Sequence, residues 1–193
     1  MIAAAGAVIG RLGPGFTLAD VAKEAGIAAG TLVQRFGSKH GLLAAMSRAS
    51  IEETRRVLRA ALEEAGDPVE AVTRALVGRY AALDDPVTAP NNLAQLSVDL
   101  ADERLRELMA EYYAVVREEL EPALRRAVAA GELPGAPPPE VAAGILTALA
   151  DGAAIHWSTR PSGSLVDRLS TDLRAVIEGW RRPPVREDDV EER

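Results

Sequence analysis

The sequence predicts an all-α chain with a small N-terminal head and a larger helical body. Three observations carry that reading. Apolar residues recur at helical spacing in nearly every segment, the breaks between segments fall on Gly, Pro or Asp-Pro, and no stretch alternates apolar with polar residues as a strand does. The chain of 193 residues is long enough for a head plus a core-bearing body. About nine helices are expected.

The first helix is alanine-rich and carries Ile2, Ala4, Ala5 and Ile9. Thr17 followed by Asp20 makes a capping-box start for a second helix, with Asp in place of the preferred Glu. Leu18, Val21, Ala22 and Ala25 form its stripe, and Gly26 follows the last periodic residue, where a left-handed position favours glycine. Ile27 fills the core beneath the turn. A third helix over about 28–36 places Leu32 and Phe36 one turn apart, and Gly37-Ser38 breaks it, with Ser38 free to cap the next helix. Two short helices joined by a tight glycine turn set the second into a DNA major groove.

The body follows. A helix from Ser38 to about Ala65 carries Leu42, Leu43, Met46, Val57, Leu58 and Leu62, and Gly66 ends it. Asp67-Pro68 caps and starts another, striped by Val69, Val72, Leu76, Tyr80 and Leu83, until Asp84-Asp85-Pro86. A short helix over 90–101 precedes a long one over 102–130, in which Pro122 is expected to kink the axis because it cannot donate to the Glu118 carbonyl. The segment from Pro134 to Pro139 forms a stiff connector. The helix over 139–158 is rich in Ala and Gly, and that over 163–181 in Leu, Val and Ile. The tail from 183 to 193 reads as disordered, on its prolines and alternating charges.

Charge is unevenly distributed. Residues 1–50 hold Arg11, Lys23, Arg35, Lys39 and Arg48 against Asp20 and Glu24, a net of +3, which leaves −10 on the rest of a chain whose total is −7. Phosphate binding responds to charge on the contacting face rather than to the sum. The absence of cysteine excludes disulfides and thiolate metal sites. No apolar run of about 18 residues is apparent, and the apolar start lacks a basic leader region, so no membrane partner and a cytoplasmic location are expected. The two histidines, His40 and His156, fall in different predicted domains, and no phosphate loop, HExxH or nucleophile elbow occurs. No enzyme activity, cofactor or metal is expected.

These residues resemble the TetR family of bacterial transcriptional regulators. The resemblance rests on the first helix, Thr17, Val21-Ala22, Ala25-Gly26-Ile27, Gly30-Thr31-Leu32, Phe36, Lys39 and Leu42, within about the first 46 residues. It implies a DNA-binding head over 1–46 and an effector-binding and dimerisation body over 47–182. It further implies a homodimer paired through the helices over 139–158 and 163–181, acting most commonly as a repressor on a pseudo-palindromic double-stranded operator and released by a small molecule. By the same resemblance, Ala29, Gly30, Thr31 and Val33 meet bases, while Thr17, Gln34, Arg35 and Lys39 meet phosphates; His40 lies beside them.

Chemistry agrees in part. Gln34 can pair with an adenine edge, Thr31 or Val33 can touch a thymine methyl, and Arg35 and Lys39 bring backbone charge. Three departures stand out. Ala28 replaces the family's usual Ser or Thr cap, Val33 its usual Tyr, and the sequence opens inside what the resemblance makes the first turn of helix one, without the usual basic extension. They keep open a second reading, a helical ligand-binding or scaffold dimer whose head does not bind DNA specifically. For the effector pocket, Tyr80, Met109, Tyr112 and Trp157 supply apolar and aromatic walls, with Asn92, Gln95, Asp99 and His156 as polar companions.

Overall fold

The computed structural model describes residues 1–64 and 67–183. The expected end of the fourth helix at Gly66 and all but the first residue of the 183–193 tail lie outside them. Nine α-helices and no strand are present among the described residues: α1 (Ile2–Leu12), α2 (Leu18–Ala25), α3 (Ala29–Phe36), α4 (Lys39–Glu64), α5 (Pro68–Gly78), α6 (Ala89–Ala101), α7 (Glu103–Ala129), α8 (Pro139–Thr159) and α9 (Leu165–Trp180).

The local signals act as their chemistry dictates. Thr17 and Asp20 close a reciprocal capping box at the start of α2, with the Thr17 N–H donating to Asp20 Oδ2 at 2.8 Å. Gly26 takes the left-handed conformation at φ 66° and ψ 32°, and the Ile27 N–H reaches back to the Ala22 carbonyl at 3.0 Å. Ser38 Oγ accepts from the Gly41 N–H at 3.0 Å and so caps α4. Asp67 caps α5 by accepting from the Val69 N–H, and Asp102 caps α7 by accepting from the Leu105 N–H.

Two apolar cores hold the molecule. One gathers α1 to α4 around Phe16, Val21, Leu32 and Leu42, and α7 enters it with Leu105, Leu108 and Val115. The other packs α5, α7, α8 and α9 around Leu76, Leu120, Leu146 and Leu169. Tyr112 packs against both. The head therefore shares a core with the body, and the expected division at residue 46 does not separate their packing. Each fully buried leucine contributes about 1.5–3 kcal/mol, so α7, which feeds both cores, ties them mechanically.

Several expectations need correction. The stripe of α5 does not continue to Leu83: the helix stops at Gly78, and Ala81–Leu83 form a 3-10 turn closed by the Leu83 N–H on the Tyr80 carbonyl at 2.9 Å. The long helix expected over 102–130 is α7, which runs through Pro122 to Ala129. One 18-residue window in α8 reaches a mean hydropathy of 1.2, long and apolar enough to cross a membrane by composition alone. The cause is packing on one side: Ala142, Ala143, Leu146, Ala150, Ala153 and Trp157 are buried within the chain.

The Leu-rich face of α9 is likewise spent inside the chain, because Leu165, Leu169, Leu173 and Ile177 are all buried in the second core. On α8, by contrast, Val141, Ile145 and Ile155 are exposed. The helix spacing puts them along one side.

Candidate functional site

Two regions carry function-bearing side chains. The first is the outer face of α3. Leu32 is fully buried and anchors the helix, while Ala29, Gly30, Thr31, Val33, Gln34 and Arg35 are all exposed. Nothing caps the start of α3: Ala28 occupies that place and offers no side-chain acceptor. The Arg35 guanidinium lies 5.7 Å from the centre of the Phe36 ring.

The polar residues around α3 are more committed than the sequence suggested. Lys39 donates from Nζ to the Pro14 carbonyl at 2.5 Å and the Phe16 carbonyl at 2.7 Å, and sits 4.2 Å from the centre of the Phe16 ring. It clamps α4 to the turn before α2. Thr17 Oγ1 is taken by Asp20, to which it donates at 2.6 Å. His40 is exposed, and its Nε2 lies 3.1 Å from Asp102 Oδ1, which links the start of α4 to the cap of α7. Asp102 stands below the usual carboxylate range, because the Leu105 N–H and then His40 hydrogen-bond its charged form.

The second region is a cavity of about 480 Å³ lined by α4, α6, α7, α8 and the turn after α5. Its size falls in the range of small-molecule sites, about 300–1,000 Å³. Leu43, Met46, Leu93, Leu96, Leu108 and Met109 form its apolar walls. Of the eight residues the sequence suggested, Tyr80, Asn92, Gln95, Asp99, Met109 and Tyr112 line it. His156 and Trp157 do not. The Trp157 indole is buried in the second core and donates from Nε1 to the Gly163 carbonyl at 3.3 Å, and His156 is exposed one position round the helix.

The polar centre of the cavity was not anticipated. Arg79 directly follows α5, and its side chain is only 4% exposed. Its Nε donates to Tyr112 Oη at 2.9 Å, and its guanidinium lies 5.3 Å from the Tyr80 ring centre and 5.0 Å from that of Tyr112. The Tyr80 hydroxyl donates to Asp151 on α8. Burial pushes the Tyr80 phenol far above its ordinary range and the Tyr113 phenol up to about 12. Both hydroxyls therefore stay protonated donors. Gln95 donates from Nε2 to Asp99 Oδ1 at 2.8 Å, and burial raises the Asp99 carboxyl.

The wall helix α6 also grips the head. Asn91 donates from Nδ2 to the Gly10 carbonyl of α1 at 2.8 Å, and Thr88 meets Gly10 from the same side. Residues 91 and 92 are consecutive, one holding α1 and the other lining the cavity.

A three-helix head with an exposed second helix of its turn, joined to a cavity-bearing helical body, is the build of a regulator that carries both functions in one chain. Comparison with known proteins agrees. Residues 1–46 match the family of bacterial regulatory proteins of the tetR type, and residues 84–181 match the C-terminal domain of BetI-type transcriptional repressors. The chain belongs to the TetR family of DNA-binding transcriptional regulators, whose members are not enzymes. A search of curated proteins gave no match.

Among solved structures, a TetR-family regulator from Rhodococcus sp. is 26% identical with a TM-score of 0.73, over 94% of this chain and 96% of that one. A transcriptional regulator from Saccharomonospora viridis, in complex with choline, is 23% identical with a TM-score of 0.75, over 92% and 93%. The regulator FadR from Bacillus subtilis, in complex with stearoyl-CoA, is 19% identical with a TM-score of 0.72, over 92% and 96%. The last two likenesses are of fold.

Proposed function

We propose that this chain is a ligand-responsive repressor that binds a pseudo-palindromic operator as a homodimer and is released by a small molecule held in the cavity between α4 and α8. The observation that carries the reading is α6, which forms a wall of the cavity with Asn92, Gln95 and Asp99 while Asn91 holds α1 of the head. A molecule that moves α6 then moves the head.

At the operator, α3 of each subunit enters a major groove, with Ala29, Gly30, Thr31 and Val33 toward base edges and Gln34 and Arg35 toward the backbone. Arg35 is the main cation of this face, because Lys39 already spends two N–H groups on the Pro14 and Phe16 carbonyls. The uncapped N–H groups at the start of α3 add an electropositive end for a phosphate. Pairing of subunits uses the exposed stripe of Val141, Ile145 and Ile155 on α8, with the polar outer side of α9 beside it. Two of the fold neighbours hold choline and stearoyl-CoA, molecules of unlike chemistry. The ligand of this chain therefore has to be read from its own cavity.

The test is a selection of fragmented genomic DNA from the source organism by the purified protein at physiological salt. Enrichment of one inverted repeat supports the reading. Uniform retention, lost as salt rises, favours a ligand-binding dimer whose head holds DNA only through phosphates.

A further inference from the structure

The cavity contains an incompletely satisfied buried cation. Arg79 has five N–H donors, and its one short side-chain bond goes from Nε to Tyr112 Oη. Its Nη2 is 4.0 Å from Asp151 Oδ1, too far for a hydrogen bond, and Nη1 is buried with no partner. Asp151 is itself engaged by the Tyr80 hydroxyl. Asp151 thus offsets the charge of Arg79 without meeting its donors. An unmet buried donor is costly, and a group retained in that condition calls for a partner.

A second atom points the same way from the opposite chemistry. Gln95 Oε1, on α6, is buried without a donor, while the Nε2 of the same amide is committed to Asp99. The cavity therefore presents one unmet donor group and one unmet acceptor, between walls to which leucine and methionine side chains contribute.

The aromatic groups exclude an alternative. Tyr80 and Tyr112 present the kind of faces that would cage a quaternary ammonium, but the Arg79 guanidinium already lies against both rings. A cationic ligand there would meet a like charge held in a poorly hydrated site. A dianionic phosphate would bring two charges to a single cation that Asp151 already half offsets.

We infer that the effector is a small monocarboxylic acid with an apolar body, whose carboxylate accepts hydrogen bonds from Arg79. This rests on the reading of the cavity as the effector site. The guanidinium fork suits a carboxylate, and charge-assisted bonds of this kind are among the strongest a site can offer. A hydroxyl or amide N–H elsewhere on the acid would satisfy Gln95 Oε1.

The experiment holds the tail constant and changes the head. Full-length protein is titrated by calorimetry and thermal shift with octanoate, octan-1-ol and octyltrimethylammonium, each below its micelle concentration, and with phenylacetate against 2-phenylethanol. Each acid is expected to bind about 10- to 100-fold more tightly than its alcohol, the span of a hydrogen bond to a charged group, and the ammonium weakest. Arg79→Gln is expected to remove the preference for octanoate over octanol; Arg79→Lys retains part of it. The wild-type head-group comparison decides the matter even where Arg79→Gln does not fold. Tighter binding of an alcohol or of the ammonium overturns the acid assignment and leaves the cavity reading intact. Binding of none of the five removes the cavity reading and this inference with it.

Discussion

Asn91 donates from its side-chain amide to the Gly10 carbonyl at 2.8 Å, across 81 positions of sequence. This bond joins the helix that walls the cavity to the first helix of the head. Under the proposed function, it would give the ligand a mechanical route to DNA that does not pass through α4 alone. Asn91→Ala is expected to leave the fold and the cavity intact and to weaken communication. Coupling between sites in allosteric proteins is typically about 1–3 kcal/mol, and loss of one such bond should remove about 0.5–1.5 kcal/mol of it. The measurement is operator affinity with and without octanoate in both proteins; an unchanged ratio removes α6 from the route.

Lys39 and Arg35 separate two roles that a sequence motif merges. Lys39 holds the Pro14 and Phe16 carbonyls, so Lys39→Met should cost roughly 2 kcal/mol of stability and change the salt slope of DNA binding little. Arg35→Ala should do the reverse, with stability near wild type and a slope of log affinity against log salt reduced by about 0.9 for each phosphate no longer neutralised. Thermal melts and salt titrations on one operator fragment check both.

Position 28 offers an easy gain and position 41 a certain loss. Ala28 precedes α3 with no capping side chain, so Ala28→Ser should stabilise the head by about 0.5–1 kcal/mol. A Cβ on Gly41 would stand 2.0 Å from the Phe36 carbonyl oxygen. Gly41→Ala then forces α3 and α4 apart and should cost at least about 1–3 kcal/mol. Denaturant unfolding reads both.

Asp99 gives a pH signature. Burial raises its carboxyl, against the opposing bond from Gln95, and the neighbouring Asp102 adds to the rise. The folded state then holds this proton longer than the unfolded state, so stability from this group falls as pH rises from the ordinary carboxylate range through the folded value. Asp99→Asn should therefore melt higher than wild type at neutral pH, with the advantage gone near pH 3, below both values. An advantage of equal size at both pH values would show that charge is not its cause.

Ile145 is 42% exposed at the middle of the α8 stripe. Ile145→Glu should convert the dimer to a monomer by light scattering and abolish operator binding, while a monomer's helicity and cavity remain. A variant that stays dimeric moves the interface elsewhere.

What was legible in the sequence was local or periodic. The Thr17–Asp20 box, Gly26 and Ser38 are decided within four or five residues, so the head's turns could be placed from residue type alone. Six of the eight suggested cavity residues line the cavity because they sit on the inward stripes of α6 and α7 or just after α5. Arg79 and Asp151 were missed because nothing in the sequence marks an arginine after a helix or an aspartate in an Ala/Gly-rich helix; only the packing of α5 against α8 brings them 4.0 Å apart. Trp157 was misplaced because helical periodicity does not say which of two apolar sides a residue faces, and α8 has both. The structural role of Lys39 was not legible either, because the two carbonyls that meet its ammonium lie 25 and 23 positions away.

A filled cavity and a bound operator should oppose each other in this protein. The decisive test takes whichever acid raises the melting temperature most and measures its affinity for the free protein and for the protein saturated with its selected operator fragment. Binding at least about tenfold weaker to the operator complex is predicted, since a ligand shifts an equilibrium only by its differential affinity for the two states. Equal affinity for the free and the DNA-bound protein would mean that the cavity does not control the head.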